Sequence, residues 1–291
     1  MLELKTITIG ELEFDYWVTG DKNNELIIFL HGFPETSIIW SRLMTNISAL
    51  GFYCVAPDMR GYSKGACPKG IKNYSFEKLS SDILNIADAL GKDKLHLIAH
   101  DWGAAIGWDI VYNNPKRIIS WTALSTPHNS SYIEALKTDK VQKKKTRYAR
   151  FILLPIIPEI IMRRNDFKWL RRVWKNSSPE EVDYHLKVFK RKSSLTGALN
   201  YYRANLRDKS YSIGYIETPT LYIWGKKDTA IGEIAAQGTG KYMKGDFTFL
   251  ELVGGHWLIQ TNYIEVESAT KKHLLKYKID HDSINNGVEF R

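Results

Sequence analysis

The sequence predicts an α/β fold: a mainly parallel sheet of eight strands with helices on both faces, interrupted by an inserted helical unit. Three observations predict it. Short continuous apolar runs, typical of strands covered on both faces, recur before residue 125 and again after residue 217. Stretches with apolar residues at helical spacing separate those runs, and strands alternating with helices imply parallel pairing. From residue 126 to residue 216 the alternation stops, and helical periodicity with prolines at 155, 158 and 179 replaces it. The predicted organisation is a discontinuous core, residues 1–125 and 217–291, around a helical cap, residues 126–216.

Taken in order, residues 2–9 and 12–18 alternate as an antiparallel pair does, turning near Gly10-Glu11. Residues 26–30, 53–56, 95–99 and 118–124 are the buried runs. Residues 75–90 carry Leu79, Ile83, Ile86 and Leu90 at helical spacing, with Ser75 placed as an N-cap and Gly91 just past the end. After the insertion come a strand at 219–224, a helix from about Ile231, a strand at 247–253 and a last helix around 265–277. The polar tail after Ile279 is expected to fray.

The bulk composition excludes several classes. With 291 residues, 44% of them hydrophobic, the chain can bury a sizeable core. No run approaches the roughly 18 apolar residues that a membrane-spanning helix needs, so no membrane span is expected. The opening residues alternate like a strand and include Glu3, unlike a signal peptide. Cys54 lies in an apolar run and Cys67 in a polar loop, which suits neither a disulfide framework nor a metal site. A reduced, cytoplasmic protein is the expectation. The formal net charge is +9, yet 20 of the 41 Lys/Arg and only 7 of the 32 Asp/Glu lie between Lys137 and Lys209. The cap therefore carries more than the whole surplus. No nucleic-acid-binding signature accompanies it, so nucleic acid is not an expected partner. A basic solvated surface is, with an anionic surface or substrate as the alternative.

The chemistry-bearing residues sit at strand ends. In Ala99-His100-Asp101-Trp102-Gly103-Ala104 an apolar strand passes directly into a helix. Small residues two before Asp101, and two and three after it, are what a sharp strand-to-helix turn requires. The turn lifts Asp101 above the carboxyl edge of the sheet, at a helix N-terminus that stabilises negative charge. An Asp there could instead be a plain N-cap. His31-Gly32-Phe33-Pro34 follows the third strand, Asp228 follows the strand ending near Gly225, and His256 precedes the final helix. The order nucleophile, acid, histidine at the carboxyl edge of the sheet resembles that of the α/β-hydrolase superfamily over nearly the whole chain. Ser125-Thr126-Pro127 offers no acid after the sixth strand, which favours Asp228 as the acid.

The resemblance implies Asp101 as nucleophile, His256 acting on water, Asp228 orienting it, and the amides of Phe33 and Trp102 as an oxyanion hole. It implies no metal and no organic cofactor. A carboxylate nucleophile suits displacement at saturated carbon rather than acyl transfer. Leu199-Asn200-Tyr201-Tyr202-Arg203 resembles the cap segment of epoxide hydrolases, and the match makes Tyr202 the ring-opening acid. Arg147-Tyr148 to Pro155 is similar to that family's first cap segment and makes Tyr148 a second donor. It departs at Leu153, where glutamine is usual, and at Ile156, where glycine is usual. His31-Gly32-Phe33-Pro34-Glu35 matches the family's oxyanion loop. The implied substrates are a small apolar epoxide and water. Two other readings stay open: a haloalkane or haloacid dehalogenase, for which Trp102 would suit a halide, and a catalytically silent binding protein. The remaining histidines, at 31, 96, 100, 128, 185, 273 and 281, show no ligand pattern and are expected to be structural.

Overall fold

The structure, a computed structural model, describes residues 1–206 and 211–279. The polar tail after Ile279, with His281, lies outside them.

Eight strands form one sheet in the order β1-β2-β4-β3-β5-β6-β7-β8. β1 (Glu3–Ile9) and β2 (Leu12–Thr19) pair antiparallel around Gly10, whose φ of +59° suits a residue without a Cβ. β2 also runs antiparallel to β4 (Phe52–Pro57). From there on every pairing is parallel, through β3 (Glu25–Leu30), β5 (Leu95–His100), β6 (Ile118–Leu124), β7 (Thr220–Gly225) and β8 (Phe247–Leu252). β3, β4, β5 and β7 are buried at every position, as strands sandwiched between helical layers must be.

The two-residue period of the strands divides the core. Ile27 and Phe29 face one layer with α1 (Ser41–Ser48), α11 (Leu258–Thr261) and α12 (Tyr263–Lys276). Leu26, Ile28 and Leu30 face the other, with α2 (Phe76–Ala89), α3 (Trp102–Asn113) and α10 (Glu233–Gly238). α2 starts where the sequence predicts, but the Ser75 side chain makes no capping bond; its carbonyl instead accepts from Leu79 N–H at 3.0 Å. α10 begins two residues later than Ile231, and α12 two residues earlier than Glu265.

Between β6 and β7 the chain forms α4 (Asn129–Thr138), α5 (Lys140–Lys145), α6 (Arg147–Ile152), α7 (Ile157–Val173), α8 (Pro179–Phe189) and α9 (Lys192–Asn205). α7 leaves helical geometry at residues 164–167, where Asn165, Asp166 and Phe167 have positive φ. α9 is the buried member and seats the insertion on the core. A Cβ at Gly197 would lie 2.7 Å from Gly61 Cα, so this approach needs glycine. Tyr201 Oη donates to Arg60 O at 2.7 Å. Arg203, buried, grips Glu159 through two bonds of 2.7 and 2.9 Å and donates to the carbonyls of Ile152 and Leu154. One guanidinium thus closes the turn between α6 and α7. Arg203→Met should leave a largely covered carboxylate and two carbonyls without donors, at a cost of about 3 kcal/mol. The measurement is the urea midpoint at unchanged slope. A loss under about 1 kcal/mol would mean that apolar packing alone holds the insertion.

Candidate active site

β5 ends at His100, and the chain reverses into α3 through Asp101, whose φ of 52° and ψ of −121° lie outside the regions open to ordinary side chains. Such a conformation costs roughly 1–3 kcal/mol and needs its surroundings to enforce it. They do. The carbonyl of Asp101 accepts from Ala105 N–H at 3.0 Å and from Thr126 Oγ1 at 2.9 Å. A Cβ on Gly103 would stand 2.4 Å from Leu30 O, and one on Gly32 would stand 2.4 Å from Asp101 Oδ1. Small residues around the turn are therefore a packing necessity, as the motif implies.

The carboxylate sits in a ring of donors. Phe33 N–H donates to Oδ1 at 2.8 Å, the Trp102 amide also donates to the carboxylate, and His256 Nε2 stands 3.2 Å from Oδ2. His256 Nδ1 lies 2.8 Å from Asp228 Oδ2. The other Asp228 oxygen accepts from Ala230 N–H at 2.7 Å and Ile231 N–H at 2.9 Å, so this almost fully buried acid is held by its own turn. Burial works against a charged imidazole, but Asp228 and Asp101 outweigh it and raise His256 to about 10. Burial likewise works against the Asp101 carboxylate, and its hydrogen bond and charge interaction with His256 more than offset that, holding it below the usual carboxylate value. Hydrogen bonds thus join Asp101, His256 and Asp228 into one chain.

An apolar-walled cavity of about 90 Å³ opens onto this chain. Asp101, Trp102 and His256 form its base, and Tyr148 of α6 and Tyr202 of α9 enter from the insertion. The two tyrosine rings lie 6.2 Å apart, and Tyr202 packs edge-on to Trp102 at 4.8 Å and to Phe33 at 5.8 Å. Burial first, then the neighbouring phenol and the Asp101 charge, drive Tyr202 well above the usual tyrosine value. Tyr148, partly open to solvent, is raised as well by the surrounding protein, Tyr132 and Asp101. Both phenols keep their protons and can donate. The structure thus brings all seven predicted site residues together: Asp101, His256, Asp228, Tyr202, Tyr148, Phe33 and Trp102. Among the described residues no cluster of three His, Cys, Asp or Glu side chains could hold a metal.

Several contributors carry no sequence signal. Ser125 Oγ, at 2.7 Å, and His100 Nε2, at 2.9 Å, both donate to the carbonyl of His256. Glu35, the last residue of the His31–Glu35 segment, is buried 3.4 Å from His100 and accepts from Gln260 Nε2. Tyr132, whose phenol is pushed up to about 12 by burial, lines the cavity and meets Thr146 Oγ1 at 3.1 Å. Gln142 of α5 spans Thr146, the Ala230 carbonyl and the Gly232 amide, which ties the insertion to the Asp228 loop. Of the other histidines, His31 accepts from Met59 N–H at 3.2 Å and His96 bridges Ser120 and Glu25 within the core.

Comparison with known proteins agrees with this architecture. A family model described as the alpha/beta hydrolase fold matches residues 25–155. The chain is 31% identical over 261 residues to epoxide hydrolase 4 of Mus musculus, covering 86% of this chain and 72% of the relative. It is 30% identical over 292 residues to epoxide hydrolase 1 of Caenorhabditis elegans, covering 94% and 70%. The crystal structure of the Bacillus megaterium epoxide hydrolase with an inhibitor superposes with a TM-score of 0.84 at 27% identity, over 93% of this chain and 100% of that one. The chain belongs to the epoxide hydrolase family of the α/β-hydrolase superfamily, and it is a hydrolase.

Proposed function

We propose that the enzyme opens epoxides to vicinal diols through an ester formed on Asp101, with residues 126–216 acting as the cap that supplies the ring-opening acids. The observation that carries this reading is the cavity itself, where a carboxylate with a polarised histidine faces two phenols that stay protonated. Oδ1 of Asp101 already accepts from the Phe33 amide, and the Trp102 amide also serves the carboxylate, which leaves Oδ2 to attack an epoxide carbon. The ring C–O bond breaks, and Tyr202 or Tyr148 gives its proton to the departing alkoxide. Forming the ester removes the Asp101 charge, and with it one of the two carboxylates that keep His256 protonated. The imidazolium can then return a proton to the tyrosinate and accept one from water. Water attacks the ester carbonyl, Oδ1 carries the oxyanion between the two amides, and collapse releases the diol with Oδ2. Asp228 keeps the ring oriented throughout. The Phe33 side chain packs against Phe189 and Tyr202 and offers no halide donor, which favours epoxide over haloalkane chemistry.

His256→Gln should form the ester and fail to hydrolyse it. One equivalent of epoxide would be consumed, and mass spectrometry would find the adduct on the peptide containing Asp101. Sustained turnover near the wild-type rate, with that peptide unmodified, would defeat the covalent reading.

Tyr148→Phe and Tyr202→Phe should each slow diol formation by about 10²-fold, since one donor remains, while the double change should exceed about 10⁴-fold. Double-mutant activity within about tenfold of wild type would remove the phenols from the mechanism.

His256 is raised in the folded state, so the stability it contributes is complete below its unfolded value near 6.5 and is lost as pH rises towards about 10. Asp101→Ala removes one of the two carboxylates and should move that loss to lower pH, seen as thermal unfolding across pH 6 to 10. An unchanged profile would mean that Asp101 does not couple to His256.

A further inference from the structure

We propose that the outer face of the inserted helices is a docking surface for an anionic phospholipid bilayer. Of the 17 exposed large hydrophobic side chains among the described residues, Leu154, Ile156, Ile157, Ile160, Ile161 and Trp169 fall in one stretch of 16 residues. Isolated apolar side chains on a surface need no explanation, whereas a contiguous set marks an interaction site. The patch reaches the core, because exposed Ile71 lines the same groove of about 580 Å³ as Ile156 and Ile160, with Arg163 and Lys192 at its edge.

Charge decides what the patch fits. Residues 153–173 hold five cations, Arg163, Arg164, Lys168, Arg171 and Arg172, against two acids. Both acids are engaged, Glu159 by Arg203 and Asp166 by Arg171. An apolar ridge in a cationic field complements a layer with an apolar interior and an anionic surface. A second copy of the chain would set this cationic field against its own image. A nucleic acid would satisfy the arginines and leave the isoleucines uncovered.

The backbone adds an independent mark. Ile156 has φ +65° and ψ −43°, a positive-φ turn conformation that costs a β-branched residue strain, yet the residue is 67% exposed. Packing within the fold does not account for an isoleucine there, and glycine would relax the turn. An apolar layer outside the protein supplies the missing contact. The surface continues directly from α6, whose Tyr148 and Ala149 line the active-site cavity.

The test is sedimentation of the full chain with vesicles of phosphatidylcholine alone, and of phosphatidylcholine with about one-third phosphatidylserine. Binding should be at least about tenfold stronger to the anionic vesicles and fall away at about 0.5 M salt. Ile156→Asp with Ile160→Asp should weaken it about tenfold while turnover of a water-soluble epoxide stays at the wild-type level. Ile156→Gly relieves strain instead of adding it, so it should melt no lower than wild type and still bind vesicles several-fold more weakly. The proposal is overturned if the protein ignores both vesicles or binds them equally. It is also overturned if the isoleucine variants bind as wild type does, leaving charge alone at work, or if light scattering without lipid shows a dimer that Ile156→Asp dissociates.

Discussion

The backbone reversal at Asp101 is the constraint on which the rest of the site depends. Holding an aspartate at φ 52° and ψ −121° places its carboxylate against the amides of Phe33 and Trp102. That placement brings the His31–Glu35 loop so close that Gly32 cannot carry a Cβ, and Gly103 meets the same limit against the end of β3. The strain is met by Thr126 and Ala105, which both bond the Asp101 carbonyl, so the end of β6 braces the turn at the end of β5. The residue after β6 is equally committed, since Ser125 bonds the His256 carbonyl. A strand end without an acid is therefore the support of the site, which explains how the acid can stand one strand further on, at Asp228.

Charge ties these supports into one unit. Three ionisable groups out of water would be costly singly, yet each carries compensating bonds: Asp101 from amides and imidazole, Asp228 from its own turn, His256 from both carboxylates. The arrangement is most favourable with Asp101 ionised and His256 protonated. Under the proposed chemistry, esterification of Asp101 removes a charge from the middle of the chain, and the same charge then changes the histidine from a passive counter-ion into a base. No moving part is needed for that change, because the partner's pKa depends on a charge the reaction itself consumes.

The sequence made the strands and the proposed catalytic set readable for a physical reason. Strands buried on both faces must be continuous apolar runs, and a strained turn must be built of small residues, so both leave local patterns. Asp101, Asp228 and His256 each follow such a run. What escaped is made by distant pairs whose identity no local pattern dictates. Glu35 meets Gln260 across 225 positions, and Gln142 meets Ala230 across 88. Ser75 stands at the start of α2 as predicted, but its hydroxyl makes no capping bond there, because local propensity specifies a position and not a partner. The break in α7 lacks glycine and proline, and its only local mark is Asn165-Asp166, residue types that tolerate positive φ.

The same distant pairs decide how the insertion and the core act together. Gln142 bonds the Ala230 carbonyl and the Gly232 amide, and Lys145 donates to the Asp228 carbonyl. α5 is thus fastened to the loop that holds the acid, and Thr146 links the same glutamine to Tyr132 in the cavity wall. Tyr148 follows two residues later on α6, so one short stretch of chain joins a phenol of the cavity wall to the loop that holds Asp228. Under the proposed chemistry this tie keeps Tyr148 in register with the Asp228–His256 pair.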